Sequence, residues 1–214
     1  MPGPFHHESL YRGKDLLAKL ASLRIVICGV GAVGSNLADN LARHGVVNLR
    51  AIDDDRVESH NVSTQLYGET DVGAWKVEAL RNHLFRTCGI EIDGVRKKIA
   101  VGRARPLLKE CGLIIDALDN SASRQIVQEY ARSANAMCMH VGLFEDYCEV
   151  VWDERYQVPK DAAVGDVCDY ALAHNLVMLA VTIASESVLR WMESGQCISM
   201  TGTLRDLAVR EMER

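Results

Sequence analysis

The sequence predicts an α/β protein with a Rossmann-like, doubly wound sheet, in which mostly parallel strands carry helices on both faces. Two observations predict this fold. Short, continuously apolar runs, which are typical of buried parallel strands, alternate with longer segments of helical periodicity. A glycine-rich turn follows the first apolar run and precedes an apolar-faced segment, as in the phosphate-binding loops of this fold class.

The elements of the first half follow from these patterns in chain order. Leucines at helical spacing predict an N-terminal helix over 8–21. The apolar run 23–28 predicts the first strand, and the segment 32–43 predicts the first helix of the core. We then expect a strand over 47–52, a helix over 74–87 and a strand within 90–99.

The second half continues the alternation. We expect a buried strand over 113–117, a helix over 120–133, and strands over 136–141 and 149–152. The segment 171–192 is long and mostly apolar, so it predicts a helix central to the core. The tail, about 197–212, is compatible with a hairpin or a helix, and we predict antiparallel edge strands there.

We expect a single domain over residues 1–214, because no proline- or glycine-rich linker and no internal repeat divides the chain. Its parts would be the N-terminal helix 8–21, a nucleotide-binding core over 23–141, and a crossover segment with the C-terminal helix and edge strands over 142–214.

Composition and charge exclude several functional classes. The net charge of -5 argues against a nucleic-acid-binding surface, which needs a basic face. No apolar run approaches the roughly 18 residues of a membrane span, and the first residues lack the pattern of a secretory signal. The seven cysteines are an odd number without any Cys-x-x-Cys pair, so we expect neither a disulfide framework nor zinc. Reduced thiols favour a cytoplasmic protein.

The glycine-rich turn predicts nucleotide binding. Gly29, Gly31 and Gly34 would permit a tight turn, the approach of a phosphate and close packing of helix against strand, respectively. Asp53 lies 19 residues after Gly34, at the end of the next predicted strand, where a carboxylate binds ribose hydroxyls. The alternative is that the glycines only form a turn, and the loop by itself does not distinguish NAD from ATP.

Polar residues further along the chain favour ATP. Asp55, Asn61, Gln65 and Lys76 follow the second predicted strand. A second acidic site follows the strand at 113–117, with Asp116, Asp119, Asn120 and, one helical turn later, Arg124. A triphosphate with Mg²⁺ needs a lysine and carboxylate ligands, which an NAD site does not need. Taken singly, these residues also fit ordinary surface and loop roles, and Arg124 fits a partner of Asp116 or Asp119.

In order and spacing these residues resemble the adenylation domain of the ThiF/MoeB/HesA-like, ubiquitin-activating adenylyltransferase family. The resemblance covers roughly residues 8–195. It implies ATP and Mg²⁺ as cofactors and no zinc, and a nucleotide site formed by Gly29, Gly31, Gly34, Asp53, Asp55, Asn61, Gln65, Lys76 and Asn120. It further implies that Asp53 holds the ribose, that Asn61, Gln65 and Lys76 line the phosphates, and that Asp119 holds Mg²⁺.

The resemblance also implies the activity. The terminal carboxylate of a small ubiquitin-like or sulfur-carrier protein, ending in glycine, would attack the α-phosphate of ATP and release pyrophosphate. A conjugating enzyme or a sulfurtransferase would be a further partner, and the chain would form a homodimer. Catalytic candidates are Lys76, Asp119, Arg12 and Cys168. Arg12 is the candidate for an arginine that reaches across the family's dimer, and the alternative is that Arg12 is an ordinary exposed helix residue.

Two positions bear on whether this resemblance extends to activity. Thr64 stands where the family has arginine beside the glutamine, and we consider Arg56 as a compensating charge. Cys168 lies near the family's crossover-loop cysteine and just before the long helix, whose dipole favours a thiolate, although Asp166 and Asp169 oppose it. Two alternatives to this activity stay open. One is an NAD(P)-dependent oxidoreductase on the same fold, and the other is a non-catalytic partner subunit of this family, which Thr64 favours.

Overall fold

The protein folds around an eight-stranded mixed sheet. The structure, a computed structural model, describes residues 3–159 and 171–213. The strands of its sheet are β1 (Arg24–Cys28), β2 (Asn48–Ile52), β3 (Asp93–Val95), β4 (Leu113–Asp116), β5 (Cys138–Phe144), β6 (Tyr147–Trp152), β7 (Met200–Thr203) and β8 (Ala208–Glu211). The helices are α1 (His6–Arg12), α2 (Lys14–Ser22), α3 (Ala32–Arg43), α4 (Lys76–Cys88), α5 (Ala104–Leu108), α6 (Ser121–Ala134) and α7 (His174–Ser194).

The strand order is β3-β2-β1-β4-β5-β6-β7-β8. The first five strands in this order are parallel, and β6, β7 and β8 extend the sheet in antiparallel fashion. The chain leaves β1 toward β2 on one side and later adds β4 on the other side, so the strand order reverses between β1 and β4. This topology confirms the predicted Rossmann-like fold with antiparallel strands at the C-terminus.

Two apolar layers cover the two faces of the sheet. Ile25 and Ile27 of β1 belong to the larger cluster, together with residues of α2, α3, α4 and α7. Val26 and Cys28 belong to the smaller cluster, together with residues of α5 and α6. Successive side chains of a strand point to opposite faces, and both faces are buried here, which explains the continuously apolar strand sequences.

The structure differs from the expected elements in a few places. The predicted N-terminal helix is divided into α1 and α2 at Gly13, whose φ of +86° does not occur within a helix. The long helix begins at His174 rather than at 171. The short helix α5 was not expected, because its five residues contain Pro106 and are too few for a periodic pattern. In residues 3–159 and 171–213, no helix is long and apolar enough to cross a lipid bilayer.

Candidate nucleotide-binding site

The candidate site lies at the carboxyl ends of β1, β2 and β4, beside the point where the strand order reverses. In doubly wound sheets a ligand binds in the crevice that this reversal opens. The loop after β1 carries the glycines, the segment after β2 carries Asp53 to Lys76, and the loop after β4 carries Asp119 and Asn120. Most of the residues predicted for the site therefore meet at one edge of the sheet.

The three glycines of the loop have different structural roles. Gly29 has a φ of +82°, and a Cβ on it would lie 2.9 Å from the carbonyl oxygen of Ala117. A Cβ on Gly34 would lie only 1.9 Å from the carbonyl oxygen of Gly29, so only glycine permits this packing of α3 against the loop. A Cβ on Gly31 would meet no atom closer than Nε2 of Gln65, at 4.0 Å. The space beside Gly31 is thus open, as the approach of a phosphate requires.

The segment 59–67 forms a wall fixed to the glycine loop. The hydroxyl of Tyr67 donates to the carbonyl oxygen of Val30 at 2.7 Å. The side chain of Asn36 donates to the carbonyl oxygens of Ala32 and Thr64, at 2.8 and 3.0 Å. The sequence analysis missed Tyr67 and Asn36, because neither belongs to the glycine motif and their partners on the loop and the wall are backbone atoms.

Asp53 joins the loop after β1 to the segment after β2. Its Oδ2 accepts a hydrogen bond from the backbone of Val30 at 2.8 Å, and its Oδ1 accepts one from the backbone of Asp55 at 2.8 Å. Burial raises the pKa of Asp53, while the nearby charge of Lys76 and the two backbone donors oppose this rise. Each carboxylate oxygen has a second lone pair, so Asp53 retains the capacity to accept from a ribose hydroxyl.

Lys76 is a buried cation at the first position of α4. Its side chain is only 10% exposed, and its Nζ lies 3.0 Å from Oδ2 of Asp55. A lysine is unfavourable at a helix N-terminus, because the helix dipole already makes that end positive, and burial of the ammonium adds a further cost. The carboxylates of Asp55 and Asp53 offset these costs, and an anionic ligand would do the same.

Asn61 and Gln65 both lie on the wall formed by residues 59–67, but only Gln65 borders the open space at Gly31. Asn61 is buried, and its Oδ1 accepts from the backbone of Glu58 at 2.9 Å, so it stabilises the turn at 59–63. Oε1 of Gln65 is buried and has no hydrogen-bond partner among residues 3–159 and 171–213. Nε2 of the same amide borders the open space at Gly31. Because an amide NH₂ group donates hydrogen bonds, Gln65 fits a phosphate contact through Nε2.

Asp119 and Asn120 lie on the loop after β4, whose Ala117 carbonyl oxygen borders Gly29 of the glycine loop. Asp119 is exposed, and its Oδ1 accepts from Nδ2 of Asn120 at 3.2 Å. Oδ1 of Asn120 accepts from the backbone of Ser123 at 2.9 Å, which makes Asn120 the N-cap of α6. Asn120 thus has a structural role that the sequence analysis did not assign, and its contact with a nucleotide stays a prediction.

Among the described residues, Arg12 is a predicted site residue that is not part of this arrangement. Arg12 forms ion pairs with Glu8 at 3.1 Å and with Glu186 of α7 at 2.8 Å. In this chain it therefore joins α1 to α7, and its role across a dimer stays a prediction. Cys168 lies outside the described residues.

The structure gives little support to Arg56 as a substitute for the family's arginine. Its guanidinium lies 3.9 Å from the ring centre of Trp75 and donates to the carbonyl oxygen of Gly73 at 2.6 Å. Arg56 and Trp75 form an antiparallel bridge, and Lys76 follows directly. Lys76 contacts Asp55, which directly precedes Arg56. Because successive side chains of an extended segment point to opposite sides, Arg56 points away from the side on which Asp55 meets Lys76.

Arg124 and a buried histidine form a separate polar cluster next to this site. Nη1 of Arg124 lies 3.7 Å from Oδ2 of Asp116, which bears out the partner considered from the sequence. His140 contacts the same carboxylate oxygen through Nδ1 at 2.8 Å, and its Nε2 lies 3.5 Å from Sγ of Cys138. The order Cys138-His140-Asp116 resembles a nucleophilic triad. However, burial and then the charge of Asp116 raise the pKa of the Cys138 thiol well above its ordinary value, so this thiol is not a nucleophile.

The residues present fit a nucleotide with Mg²⁺. The open space at Gly31, the Nε2 donor of Gln65 beside it and the buried Lys76 suit phosphates, and the exposed carboxylate of Asp119 suits a cation that retains several waters. Within residues 3–159 and 171–213, no three or more His, Cys, Asp or Glu side chains converge on a common metal position. The expected absence of zinc stays a prediction.

Comparison with known proteins identifies the family of this chain. The ThiF family profile matches residues 7–163 of the chain. The sulfur carrier protein ThiS adenylyltransferase of Bacillus subtilis is 33% identical over 138 residues, which cover 61% of this chain and 41% of that protein. The molybdopterin-synthase adenylyltransferase of Escherichia coli is 32% identical over 124 residues, which cover 56% of this chain and 50% of that protein.

A solved structure supports the fold independently. E. coli MccB, crystallised with ATP, matches with a TM-score of 0.81 at 16% identity, over 99% of this chain and 71% of that chain. At this identity the likeness bears on the fold alone. The chain spans 41% and 50% of the lengths of the two curated relatives above.

Proposed function

Since this chain belongs to the ThiF family, we propose that it is an adenylyltransferase that uses ATP to activate the C-terminal carboxylate of a small ubiquitin-like or sulfur-carrier protein. In this reaction a carboxylate oxygen forms a bond to the α-phosphorus, the bond from that phosphorus to the bridging oxygen breaks, and pyrophosphate leaves. The products are an acyl-adenylate and pyrophosphate. We also propose that one adenylation unit spans the chain.

The observation that carries the proposal is the buried ammonium of Lys76. It lies at the carboxyl edge of the sheet, 3.0 Å from Asp55 and close enough to Asp53 to oppose the rise of its pKa. A hydride-transfer site needs a ribose carboxylate but no buried lysine for phosphates. The lysine therefore favours adenylation over the NAD(P)-dependent oxidoreductase considered above.

The chain's own residues would bind and orient the nucleotide. The backbone of the loop at Gly29, Gly31 and Gly34 would surround the phosphates, with the N-terminus of α3 favouring their negative charge. Asp53 would accept from the ribose, with Asp55 beside it. An anionic carboxylate must approach an anionic phosphate, so Lys76 and Gln65 would act by reducing the charge repulsion at the point of attack.

A divalent cation would be held by Asp119 on the facing loop. When bound, Mg²⁺ supplies neutralisation of phosphate charge. Asp119 suits this role because it is exposed and lies on the loop after β4, at the carboxyl edge of the sheet. Asn120 would fix the orientation of Asp119 through the hydrogen bond between their side chains.

The finer features of the proposal concern the substrate and partners. One curated relative is named as an adenylyltransferase of the sulfur carrier ThiS, and the other as an adenylyltransferase of molybdopterin synthase, which supports a carrier protein as substrate here. A terminal glycine would fit a narrow approach to the α-phosphate. A later thioester or sulfur transfer through Cys168, a homodimer completed by Arg12, and a cytoplasmic location belong to the same proposal.

The test is carboxylate-dependent exchange of labelled pyrophosphate into ATP, with a synthetic peptide ending in Gly-Gly as the carboxylate. We expect exchange by the wild-type chain and its loss in Lys76→Ala and Asp119→Ala. Lys14→Ala, an exposed lysine of α2, is the matched control and should exchange like wild type.

The other outcomes would overturn the proposal. Reduction of NAD without exchange would support an oxidoreductase. A chain that binds ATP but neither exchanges nor reduces NAD would support a non-catalytic subunit, which Thr64 in place of the family's arginine favours. Full exchange by Lys76→Ala would remove the observation on which the proposal depends.

A further inference from the structure

A chain of contacting polar and charged side chains runs beside the proposed site, from the surface into the core. Arg132 contacts Asp153 (Nε to Oδ2, 3.0 Å), and Asp153 contacts His140 (Oδ1 to Nε2, 3.2 Å). His140 contacts Asp116 (Nδ1 to Oδ2, 2.8 Å), and Asp116 lies 3.7 Å from a nitrogen of Arg124. The side chains of His140 and Asp116 have no exposed area at all. None of these five residues has a role in the proposed reaction.

The sheet itself brings the two central groups together. Asp116 of β4 and His140 of β5 are register partners on neighbouring parallel strands, so their side chains leave the sheet on the same face. The ring of Tyr156 stacks on the imidazole with ring centres 3.7 Å apart and an angle of 11° between the planes. Arg124 donates to the hydroxyl of Tyr156 at 2.9 Å and to the carbonyl oxygen of Val141 at 2.9 Å. The imidazole is therefore held in one orientation.

Asp116 connects this cluster to the loop that carries Asp119. While its Oδ2 contacts His140, its Oδ1 accepts from the backbone of Leu118 at 3.1 Å. Asp116 is the last residue of β4, and Asp119 follows three positions later. The buried carboxylate of Asp116 thus fixes the backbone of the turn through Oδ1. The orientation of this carboxylate depends in turn on the contact between Oδ2 and the imidazole of His140.

The same imidazole also holds the segment after β6. Asp153 is the first residue after that strand, and the backbone carbonyl of Tyr156 accepts from Nε2 of Gln128 on α6 at 2.9 Å. Further along, the carbonyl oxygen of Pro159 accepts from the hydroxyl of Ser121, next to Asn120. The segment after β6, which contacts His140 through Asp153 and Tyr156, is therefore joined to α6 both at Ser121 and at Gln128.

We propose that His140 is a positioning residue of the adenylation site: its Nδ1–H holds Asp116, which fixes the turn that presents Asp119 to Mg²⁺. An ionised carboxylate only accepts hydrogen bonds, so Nδ1 must be the donor. The inference rests on the proposed function. It extends that function to a residue that touches neither nucleotide nor metal.

Two amide variants separate the two sides of the imidazole. In His140→Asn the side-chain NH₂ lies near the position of Nδ1 and still reaches Asp116, whereas in His140→Gln it lies near Nε2 and reaches Asp153 only. His140→Leu removes both contacts. The matched control is His83→Gln, because Nε2 of His83 contacts Asp39 at 3.1 Å between α3 and α4, away from this cluster.

The readouts are the Mg²⁺ concentration for half-maximal pyrophosphate exchange, Mn²⁺ binding in the presence of ATP followed by electron paramagnetic resonance, and thermal unfolding. For His140→Gln and His140→Leu we expect the half-maximal Mg²⁺ concentration to rise and the Mn²⁺ affinity to fall, each by roughly 10–100-fold, as is usual when the groups that orient a metal ligand are removed. His140→Asn and His83→Gln should remain close to wild type in both metal measurements.

Other results would overturn the inference. A purely structural role would lower the unfolding temperature of the variants and leave their metal dependence at the wild-type value. Equal defects in folded His140→Asn and His140→Leu would exclude the Nδ1 contact as the cause. If the variants do not fold, the ¹⁵N spectrum of histidine in the wild-type chain decides, because an unprotonated Nδ1 at His140 contradicts the proposal. Absence of exchange and of ATP binding in the wild-type chain would instead refute the proposed function.

Discussion

Substitution of Gly34 by alanine should disrupt the glycine loop, whereas the same substitution at Gly31 should leave the fold intact. The new Cβ at Gly34 would lie 1.9 Å from the carbonyl oxygen of Gly29 and 3.0 Å from its carbonyl carbon. Carbon atoms in contact prefer about 3.5–4.0 Å, so backbone would have to move by roughly 1.5 Å. Flexible side chains cannot relieve this clash, because both partners are main-chain atoms.

The expected loss of folding free energy in Gly34→Ala follows from overpacking in a buried region. Such changes cost about 1–3 kcal/mol and occasionally more. For a chain of this size each kcal/mol lowers the unfolding temperature by about 2–4 °C, so we expect Gly34→Ala to unfold roughly 5–10 °C below wild type. Displacement of the carbonyl of Gly29 would also move the loop that surrounds the phosphates, so nucleotide affinity should fall as well.

Gly31→Ala separates binding from stability. The nearest atom to its Cβ would be Nε2 of Gln65 at 4.0 Å, which is an ordinary contact, so the unfolding temperature should change by at most about 2 °C. The methyl group would nevertheless occupy the space that a phosphate needs. Loss of one hydrogen bond to a charged phosphate costs about 1.5–3 kcal/mol, so we expect ATP affinity to fall by roughly tenfold or more.

The assays are thermal unfolding by circular dichroism and titration with a fluorescent ATP analogue in Mg²⁺. Gly89→Ala is the control, because Gly89 has a φ of +68° at the end of α4 with no atom within 4 Å of its Cβ. It should lose about 1–2 kcal/mol from its backbone conformation alone and keep its ATP affinity. Wild-type stability of Gly34→Ala, or wild-type affinity of Gly31→Ala, would refute the reasoning.

Four further predictions address individual residues. Asn120→Ala should lose the N-cap of α6 and about 1 kcal/mol of unfolding free energy in urea, and Asn120→Ser should retain it. If Arg12 acts across a dimer, Arg12→Ala will abolish pyrophosphate exchange while Glu186→Gln retains it; equal losses would mean that the ion pair within the chain is what matters. Burial raises the pKa of Cys148 to about 11, so iodoacetamide at neutral pH should label it only after denaturation, as judged by peptide mass spectrometry. Burial also raises the pKa of Asp53, so the folded state binds this proton more tightly than the unfolded state. Its contribution to stability should be present at low pH and be lost as pH rises from the unfolded value of 3.8 through the raised pKa, which urea unfolding of wild type and Asp53→Asn at several pH values will test.

Most of the fold could be predicted from the sequence, because its strands are buried on both faces and therefore read as uninterrupted apolar runs. The strand Leu113–Asp116 is an example. The helix Ala32–Arg43 could be predicted for another reason, because its apolar residues recur at helical spacing. The short helix α5 could not be predicted, since five residues around Pro106 give no periodic signal. The division at Gly13 depends on its backbone angle, which the glycine permits but does not dictate.

The candidate site was predictable where its residues lie next to strand ends in a recognisable order, as for Asp53 and Lys76. It was not predictable where a contact depends on strand register or on a backbone acceptor. His140 meets Asp116 only because β4 and β5 pair in one register. Tyr67 meets the carbonyl oxygen of Val30, 37 positions earlier, and no pattern in the sequence connects these two.

The hydrogen bonds of Tyr67 and Asn36 also determine when conformational entropy is lost. These side chains hold residues 59–67 against the glycine loop through hydrogen bonds within the chain itself, so we expect this part of the chain to be ordered during folding rather than during association. A nucleotide that meets an already ordered surface loses less free energy to ordering. Association should therefore proceed in a single kinetic phase at this side of the crevice, with no slow rearrangement after the encounter.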